Sequence, residues 1–296
     1  MSALEIVDCQ VHIWQRESPA RPWDPAYGAG GPSAAAHRVR SAEHTVSFEE
    51  MVAAMDAAGV SAAVIVTTIL YGWDNGYSLD AYAAHPGRFR VMGRVEPFAP
   101  GVDERVRAWT QVPGAAGVRI VATTAAQREE ITGGRMEPFF AAAERARVPV
   151  AIYAPRFLRE LVPIVERHPD LTLLLDHVGL PQPPLLEADP DRFQRLPDLL
   201  ALARHPGVVV KLSAAPTLSM EPYPFADLWP HIHAIVNVYG PERVLWGSDW
   251  TRALPVVGYR DQVRFMTETR ELSAADKTLI MGGSLRRILS WGQSPA

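Results

Sequence analysis

Short apolar runs rich in β-branched residues alternate with longer amphipathic stretches along almost the whole chain. The runs are Glu5–Ile13, Val60–Thr67, Phe89–Glu96, Ala116–Val121, Val148–Ala154, Leu171–His177, Val208–Ser213 and Val244–Ser248, eight in all. Most are continuously apolar, as parallel strands buried on both faces should be. The segments between them read as helices. Ser47 and Glu50 have capping-box spacing, Phe48, Met51, Val52 and Met55 share one face, and Gly59 ends that helix. Further helices are predicted near Glu137–Arg147, Arg156–Arg167, Arg192–Arg204 and Phe225–Tyr239, and Ser273 opens a last one that runs towards Trp291. Eight strand–helix units in series predict an α/β fold, a (β/α)8 TIM barrel, as one domain over residues 1–296. An open doubly wound sheet competes less well. No Gly-rich phosphate loop follows the first strand, and most strands end in polar residues.

Two segments break the rhythm. Gln15–Val46 is a long Pro-, Gly- and Ala-rich connection carrying Arg16, Arg21, Trp23, Tyr27, His37 and His44. A loop of this length after a barrel strand reads as a lid-like insertion, against the plainer reading of a mobile surface excursion. Leu180–Pro190, with its prolines, is a second such loop, after strand six. Both leave the C-terminal ends of strands, where barrel enzymes build their sites.

Composition narrows the class. With 296 residues, 48% of them hydrophobic, the chain has enough apolar material for one large core. A net charge of -4 with no block of like charges argues against nucleic acid or anionic membrane as partners and leaves a small-molecule substrate. The lone Cys9 has no intrachain disulfide partner, which fits a reducing compartment. No stretch reaches the ~18 apolar residues of a membrane helix. No basic, apolar leader precedes Glu5 and Asp8, so the expected location is cytoplasmic. A homodimer is the base-rate expectation for assembly.

The candidate chemistry stands at the strand ends. Asp8, Gln10 and His12 alternate along strand one, and period-two spacing would put all three on one face. Strand three supplies Arg94 and Glu96, strand four Arg119, strand five Tyr153, strand six Asp176 and His177, strand seven Lys211 and Ser213, and strand eight Ser248 and Asp249. Buried charges cost several kcal/mol unless paired, so packing alone does not account for such a set. Plainer roles compete at each position. Asp8 could orient a neighbour, and Arg94 could pair with Glu96 or a helix carboxylate. Lys211 could snorkel to solvent, and Asp249 could cap the following helix. Asp176 and His177 are adjacent, so one of them should point outward. His205, His231 and His233 are expected on the surface.

The D-x-Q-x-H of strand one followed by Ile13 and Trp14, L-L-L-D-H-V-G-L-P at 173–181, V-V-V-K-L-S at 208–213 and L-W-G-S-D-W at 245–250 together resemble the amidohydrolase superfamily. The likeness is to its branch of lactonases and decarboxylases, which includes the sugar lactonases and pyrone-dicarboxylate lactonases. It covers nearly the whole chain in order. The resemblance implies a barrel in which water attacks a carbonyl. Asp249 falls in the place of the general base, His177 in that of the strand-six histidine, facing inward, and His12 in that of the second strand-one histidine. Gln10 departs from the family's first histidine, and Tyr153 stands where metal-dependent relatives carry another.

A catalytic zinc wants three good ligands, and a neutral carboxamide is a poor exchange for imidazole. The expectation is therefore a hydrolase with no cofactor, acting on a lactone or related cyclic ester that carries a carboxylate. Asp249 would activate water. His177, helped by Arg119 or Lys211, would stabilise the oxyanion, and a further cation would hold the carboxylate. Gln10, His12, Arg94, Arg119, Tyr153, Lys211 and Trp250 would contact substrate. Trp14, Trp23, Tyr71 and Trp250 would form an aromatic wall at the mouth. One competing reading is a metal-dependent decarboxylase or hydrolase holding zinc or manganese on His12, His177 and Asp249. Another is a barrel that binds a ligand without turning it over.

Overall fold

The structure is a computed structural model that describes residues 4–27, 38–39, 41–182 and 191–292. All eight expected strands form: β1 Val7–Val11, β2 Ala62–Val66, β3 Phe89–Gly93, β4 Ala115–Val121, β5 Val150–Tyr153, β6 Leu173–Leu175, β7 Val208–Lys211 and β8 Val244–Leu245. They pair in parallel in chain order from β1 to β8. The seam between β8 and β1 is drawn together by two backbone bonds, Cys9 N–H to the Trp246 carbonyl at 3.1 Å and Asp249 N–H to the Gln10 carbonyl at 2.9 Å.

The strands serve two cores. Ala62, Val64 and Val66 point into the barrel with Val7, Cys9, Ala151, Leu174, Val209 and Leu245. Ala63 and Ile65 point outward to helix residues such as Met51, Met55, Ala81 and Phe139. Burial on both faces is why the runs read as continuously apolar.

In β1 the expected alternation fails. The register steps from Asp8 opposite Ala63 to Val11 opposite Ile65, three residues against two, so a bulge interrupts the strand. Gln10 and His12 face the interior, but Asp8 does not share their face. It turns to the seam and accepts hydrogen bonds from Gln10 N–H (2.9 Å), Ser248 N–H (3.0 Å), Ser248 Oγ (2.5 Å) and Tyr259 Oη (3.0 Å).

The helix Phe48–Ala58 forms as its capping box and Gly59 predict, with Gly59 in the left-handed region at φ 74. Three expected helices begin late, each with a proline in the first turn. Val162–Arg167 follows a 3-10 turn at Arg159–Leu161, Trp229–Tyr239 follows another at Ala226–Leu228, and Leu196–Ala201 passes into a 3-10 turn at Leu202–Arg204. The expected last helix is broken into Ala274–Thr278 and Ser284–Ile288 by a wider turn over Leu279–Gly283. A Cβ on Gly282 would lie 2.9 Å from Val7 Cγ2, so glycine is what lets this turn approach the barrel seam. The expected helix near Glu137–Arg147 forms over Glu137–Arg145, and helices at Gly76–Ala84, Val102–Thr110, Ala125–Thr132 and Tyr259–Thr267 complete the outer layer. No helix among the described residues is long and apolar enough to cross a membrane.

The described parts of the 15–46 connection pack closely. Trp14 and Val46 form an antiparallel bridge, and Trp14 Nε1 donates to the Ser41 carbonyl at 2.9 Å. Arg38 donates to the carbonyls of Asp24 and Tyr27 and lies over the Trp23 ring. Trp14, Trp23 and Tyr71 are buried, so they anchor this loop rather than lining an open mouth. His37 and residues 183–190 of the second loop lie outside the described residues.

Candidate active site

The inward groups are re-aimed by left-handed turns at the strand ends. After β6, His177 and Val178 take φ 54 and φ 61; after β7, Ala214 takes φ 56; beyond β8, Asp249 takes φ 46. Such backbone costs about 1–3 kcal/mol per residue and clusters where function requires it. Its consequence at β6 is that Asp176 and His177 both face the interior. The expected choice between them does not arise.

Asp176 is the floor of the site. Lys211 Nζ lies 2.8 Å from its Oδ1 and Arg119 Nε 3.0 Å from its Oδ2. Burial opposes the charged form, but Lys211 and then Arg119 outweigh it and hold this carboxyl below its usual range. Lys211 is fully buried and does not snorkel; its Nζ also donates to Gln10 Oε1 at 2.5 Å. Arg119 spends only Nε on Asp176, and its two Nη groups have no hydrogen-bond partner among the described residues.

His177 is held from both sides. Gln10 Nε2 lies 3.3 Å from its Nε2 and Ser213 Oγ 3.0 Å from its Nδ1. Burial pushes its pKa down to about 3, so the ring is neutral at pH 7. The Tyr153 ring meets it edge-on, with centroids 4.9 Å apart. Tyr153 Oη accepts from Gln182 N–H at 3.2 Å, and burial raises the phenol to about 12, so it keeps a proton to donate.

Asp249 is fully buried and also lies within 3.7 Å of His177 Nδ1. Its Oδ2 is taken by Arg252 Nε. Its Oδ1 has no aligned donor among the described residues and lies 3.2 Å from His12 Nε2. Burial disfavours its charge, but the Arg252 guanidinium overrides burial and holds it well below the usual carboxylate range. It occupies the position before the helix Trp250–Ala253 yet makes no capping bond, so the capping role does not hold. His12 Nδ1 lies 2.7 Å from the Val66 carbonyl, which can only accept, so Nδ1 carries a hydrogen. In the neutral ring Nε2 is then a lone pair facing Asp249 Oδ1.

Arg94 stands apart at the mouth. It makes no ion pair with the exposed Glu96. Its guanidinium lies 4.5 Å from the Trp73 ring centroid, and its backbone is clamped at both ends by Asn75. Burial and then Arg119 lower its pKa to about 10, which leaves it charged at pH 7. Trp250 is not drawn into the polar cluster: its ring stacks on Tyr259, with centroids 5.5 Å apart. His205, His231 and His233 pair with Arg204, Phe193 and Glu271 on the outer layer.

Sequence reasoning missed Arg252, Gln182 and Trp73. Arg252 was findable, because a position three after Asp249 returns to it over one helical turn. Gln182 bridges Arg252 Nη2 (3.4 Å) and Thr217 Oγ1 (2.9 Å), a contact with no signature in the sequence.

The donor set does not suit a metal as it stands. Among the described residues no group of three or more His, Cys, Asp or Glu side chains converges on one position. Gln10 replaces one imidazole, and Lys211 and Arg252 already supply positive charge to Asp176 and Asp249.

Residues 7–290 match the amidohydrolase family. Among curated relatives, 4-sulfomuconolactone hydrolase of Hydrogenophaga intermedia is 29% identical over 83% of this chain and 78% of its own length. L-fucono-1,5-lactonase of Burkholderia ambifaria is 26% identical over 82% and 79%. A zinc-bound amidohydrolase structure from Burkholderia multivorans superposes with a TM-score of 0.77 at 23% identity, covering 97% of this chain and 99% of that one. The likeness to lactone hydrolases favours an enzyme over a barrel that merely binds. The chain belongs to the amidohydrolase family, in the branch that holds these lactone hydrolases.

Proposed function

We propose that this protein hydrolyses a lactone carrying an acidic group, with water activated by Asp249 and no metal in the reaction. One observation carries the reading: the buried Asp249 Oδ1 and the half-buried His12 Nε2 face each other at 3.2 Å, and Asp249 Oδ1 has no aligned donor among the described residues. A water molecule supplies the two hydrogens that such a pair accepts.

The water oxygen attacks the ring carbonyl carbon while Asp249 Oδ1 takes its proton. The carbonyl oxygen becomes an oxyanion, and the Arg119 Nη groups and Tyr153 Oη are the donors with capacity for it. His177 was expected in that role, but both its ring nitrogens are engaged, so it orients Asp249 instead. The ring C–O bond then breaks. The leaving oxygen recovers the proton from Asp249, and the product is the open hydroxy acid. Arg252 suits this second half, since a carboxylate held strongly ionised returns its proton readily. Two buried carboxylates, Asp176 and Asp249, meet four cations, Arg94, Arg119, Lys211 and Arg252, and the excess positive charge favours an anionic substrate. Arg94, over Trp73 and with no carboxylate in ion-pair contact among the described residues, is the receptor for the acidic group.

The test is turnover of a panel of acidic and neutral lactones by the purified protein. Hydrolysis should favour the acidic members, and Asp249→Asn should lower kcat about 100-fold or more while the barrel stays folded. Full activity in Asp249→Asn would refute the mechanism. Near-stoichiometric zinc or manganese, with activity lost on its removal, would favour the metal-dependent alternative on His12, His177 and Asp249.

A further inference from the structure

We infer that Gln10 is a positioning residue: locked by Lys211, it fixes His177 in the tautomer that bears its hydrogen on Nδ1. The deduction is a count of donors and acceptors. An ammonium only donates, so the Gln10 oxygen must be the atom facing Lys211 Nζ at 2.5 Å. The Gln10 amide nitrogen therefore faces His177 Nε2 at 3.3 Å. That nitrogen only donates, so His177 Nε2 must be a lone pair, and the ring hydrogen sits on Nδ1.

The rest of the cluster closes around this assignment. His177 Nδ1–H donates to Ser213 Oγ at 3.0 Å, and the same oxygen accepts the His177 backbone N–H at 3.1 Å. With both acceptances used, the Ser213 hydrogen finds Gln10 Oε1 at 3.5 Å. Lys211 is itself pinned by Asp176 at 2.8 Å. Gln10, His177, Ser213, Lys211 and Asp176 are all buried, so an unmatched donor here costs about 1–3 kcal/mol. The reverse tautomer sets the Nε2 hydrogen against the Gln10 amide hydrogens and leaves both unmatched.

The direction of the ring bears on Asp249. His177 Nδ1 is also the nitrogen 3.7 Å from Asp249 Oδ2. In the assigned tautomer a hydrogen faces that carboxylate; in the other a lone pair would. Gln10 thus acts on Asp249 through His177, without touching the reacting atoms. The tautomer itself is independent of the lactonase reading, and only its effect on turnover rests on that reading.

The experiment is nitrogen-15 NMR of histidine-labelled full-length protein, with kinetics on whichever panel lactone is turned over. In the wild type, His177 Nε2 should resonate as a bare, pyridine-type nitrogen and Nδ1 as a protonated one. Gln10→Glu places an accepting carboxylate between Lys211 and His177. It should move the hydrogen to Nε2 and lower kcat about 100-fold with KM changed less than about 3-fold. Ser213→Ala should leave the tautomer as in the wild type, because Gln10 sets it. A protonated Nε2 in the wild type, an unmoved tautomer in Gln10→Glu, or an inverted one in Ser213→Ala would each overturn the assignment. An inverted tautomer with unchanged kcat would overturn the positioning role. Absence of turnover on every lactone would count against the lactonase reading and leave the NMR result intact.

Discussion

Asp8 offers a direct test of how burial and hydrogen bonding compete at the barrel seam. It accepts from the Gln10 and Ser248 backbone N–H groups and from the Ser248 and Tyr259 hydroxyls. Burial, the largest influence, still outweighs those bonds and raises its pKa from the usual 3.8 to about 6. The folded chain therefore holds this proton more tightly than the unfolded chain does. The stability Asp8 contributes is fully present below its unfolded value and is lost as pH rises through about 6. At ~1.36 kcal/mol per unit the whole change is about 3 kcal/mol, of which roughly 2 kcal/mol falls between about pH 4.5 and about pH 7.5. Asp8→Asn removes the titration and keeps the shape. His177, Asp176 and Asp249 titrate in both proteins and cancel in the comparison. The variant should therefore gain about 2 kcal/mol on the wild type across that interval, or about 4 °C in relative Tm for a chain of this size. Thermal and urea melts of both proteins at the two pH values, followed by circular dichroism, measure it. A gap that stays constant, or that widens against the variant as pH rises, would refute the reasoning.

Three further changes probe the interior. Arg252→Gln removes the strongest counter-charge on Asp249, so its pKa rises and the acid limb of kcat/KM moves to higher pH; a limb that stays put would contradict the pairing. Lys211→Met leaves Asp176 with Arg119 alone and should cost about 3–5 kcal/mol in urea unfolding, most of it recovered when Asp176→Leu is added. Additive losses in that double variant would contradict a shared pair. Arg94→Met should raise KM for acidic lactones roughly 10- to 100-fold, the worth of about 1.5–3 kcal/mol for bonds to a charged group, and leave neutral lactones unchanged. Equal effects on both classes would remove Arg94 from substrate recognition.

The barrel was legible because its signal is repeated. Continuous apolar runs mark strands packed on both faces, and capping residues mark helices, as at Ser47, Glu50 and Gly59. The helix interruptions were less legible, because a proline starts a helix as readily as it breaks one; Pro163, Pro197 and Pro230 all sit in first turns. Within the site, collecting the polar residues at the strand ends picked out Arg119, Tyr153 and Lys211, whose side chains lie inside. Period-two reasoning failed at Asp8, where a bulge intervenes, and at Asp176 and His177, where left-handed backbone lets consecutive residues face the same way. Both failures are local backbone irregularities that no hydrophobic pattern records. The aromatic wall failed for another reason: burying Trp14, Trp23 and Tyr71 under their own loop removes more apolar surface from water than exposing them at a mouth would. Trp73, 43% exposed beneath Arg94, takes the place they were expected to fill.

In the proposed mechanism Asp249 Oδ1 and His12 Nε2 hold the attacking water. A high-resolution crystal structure of protein purified without chelators, with anomalous data at the zinc and manganese edges, tests it most directly. Density for one water within hydrogen-bonding distance of both atoms, and no anomalous peak there, is the expected result. An anomalous peak bound by His12, His177 and Asp249 would contradict it.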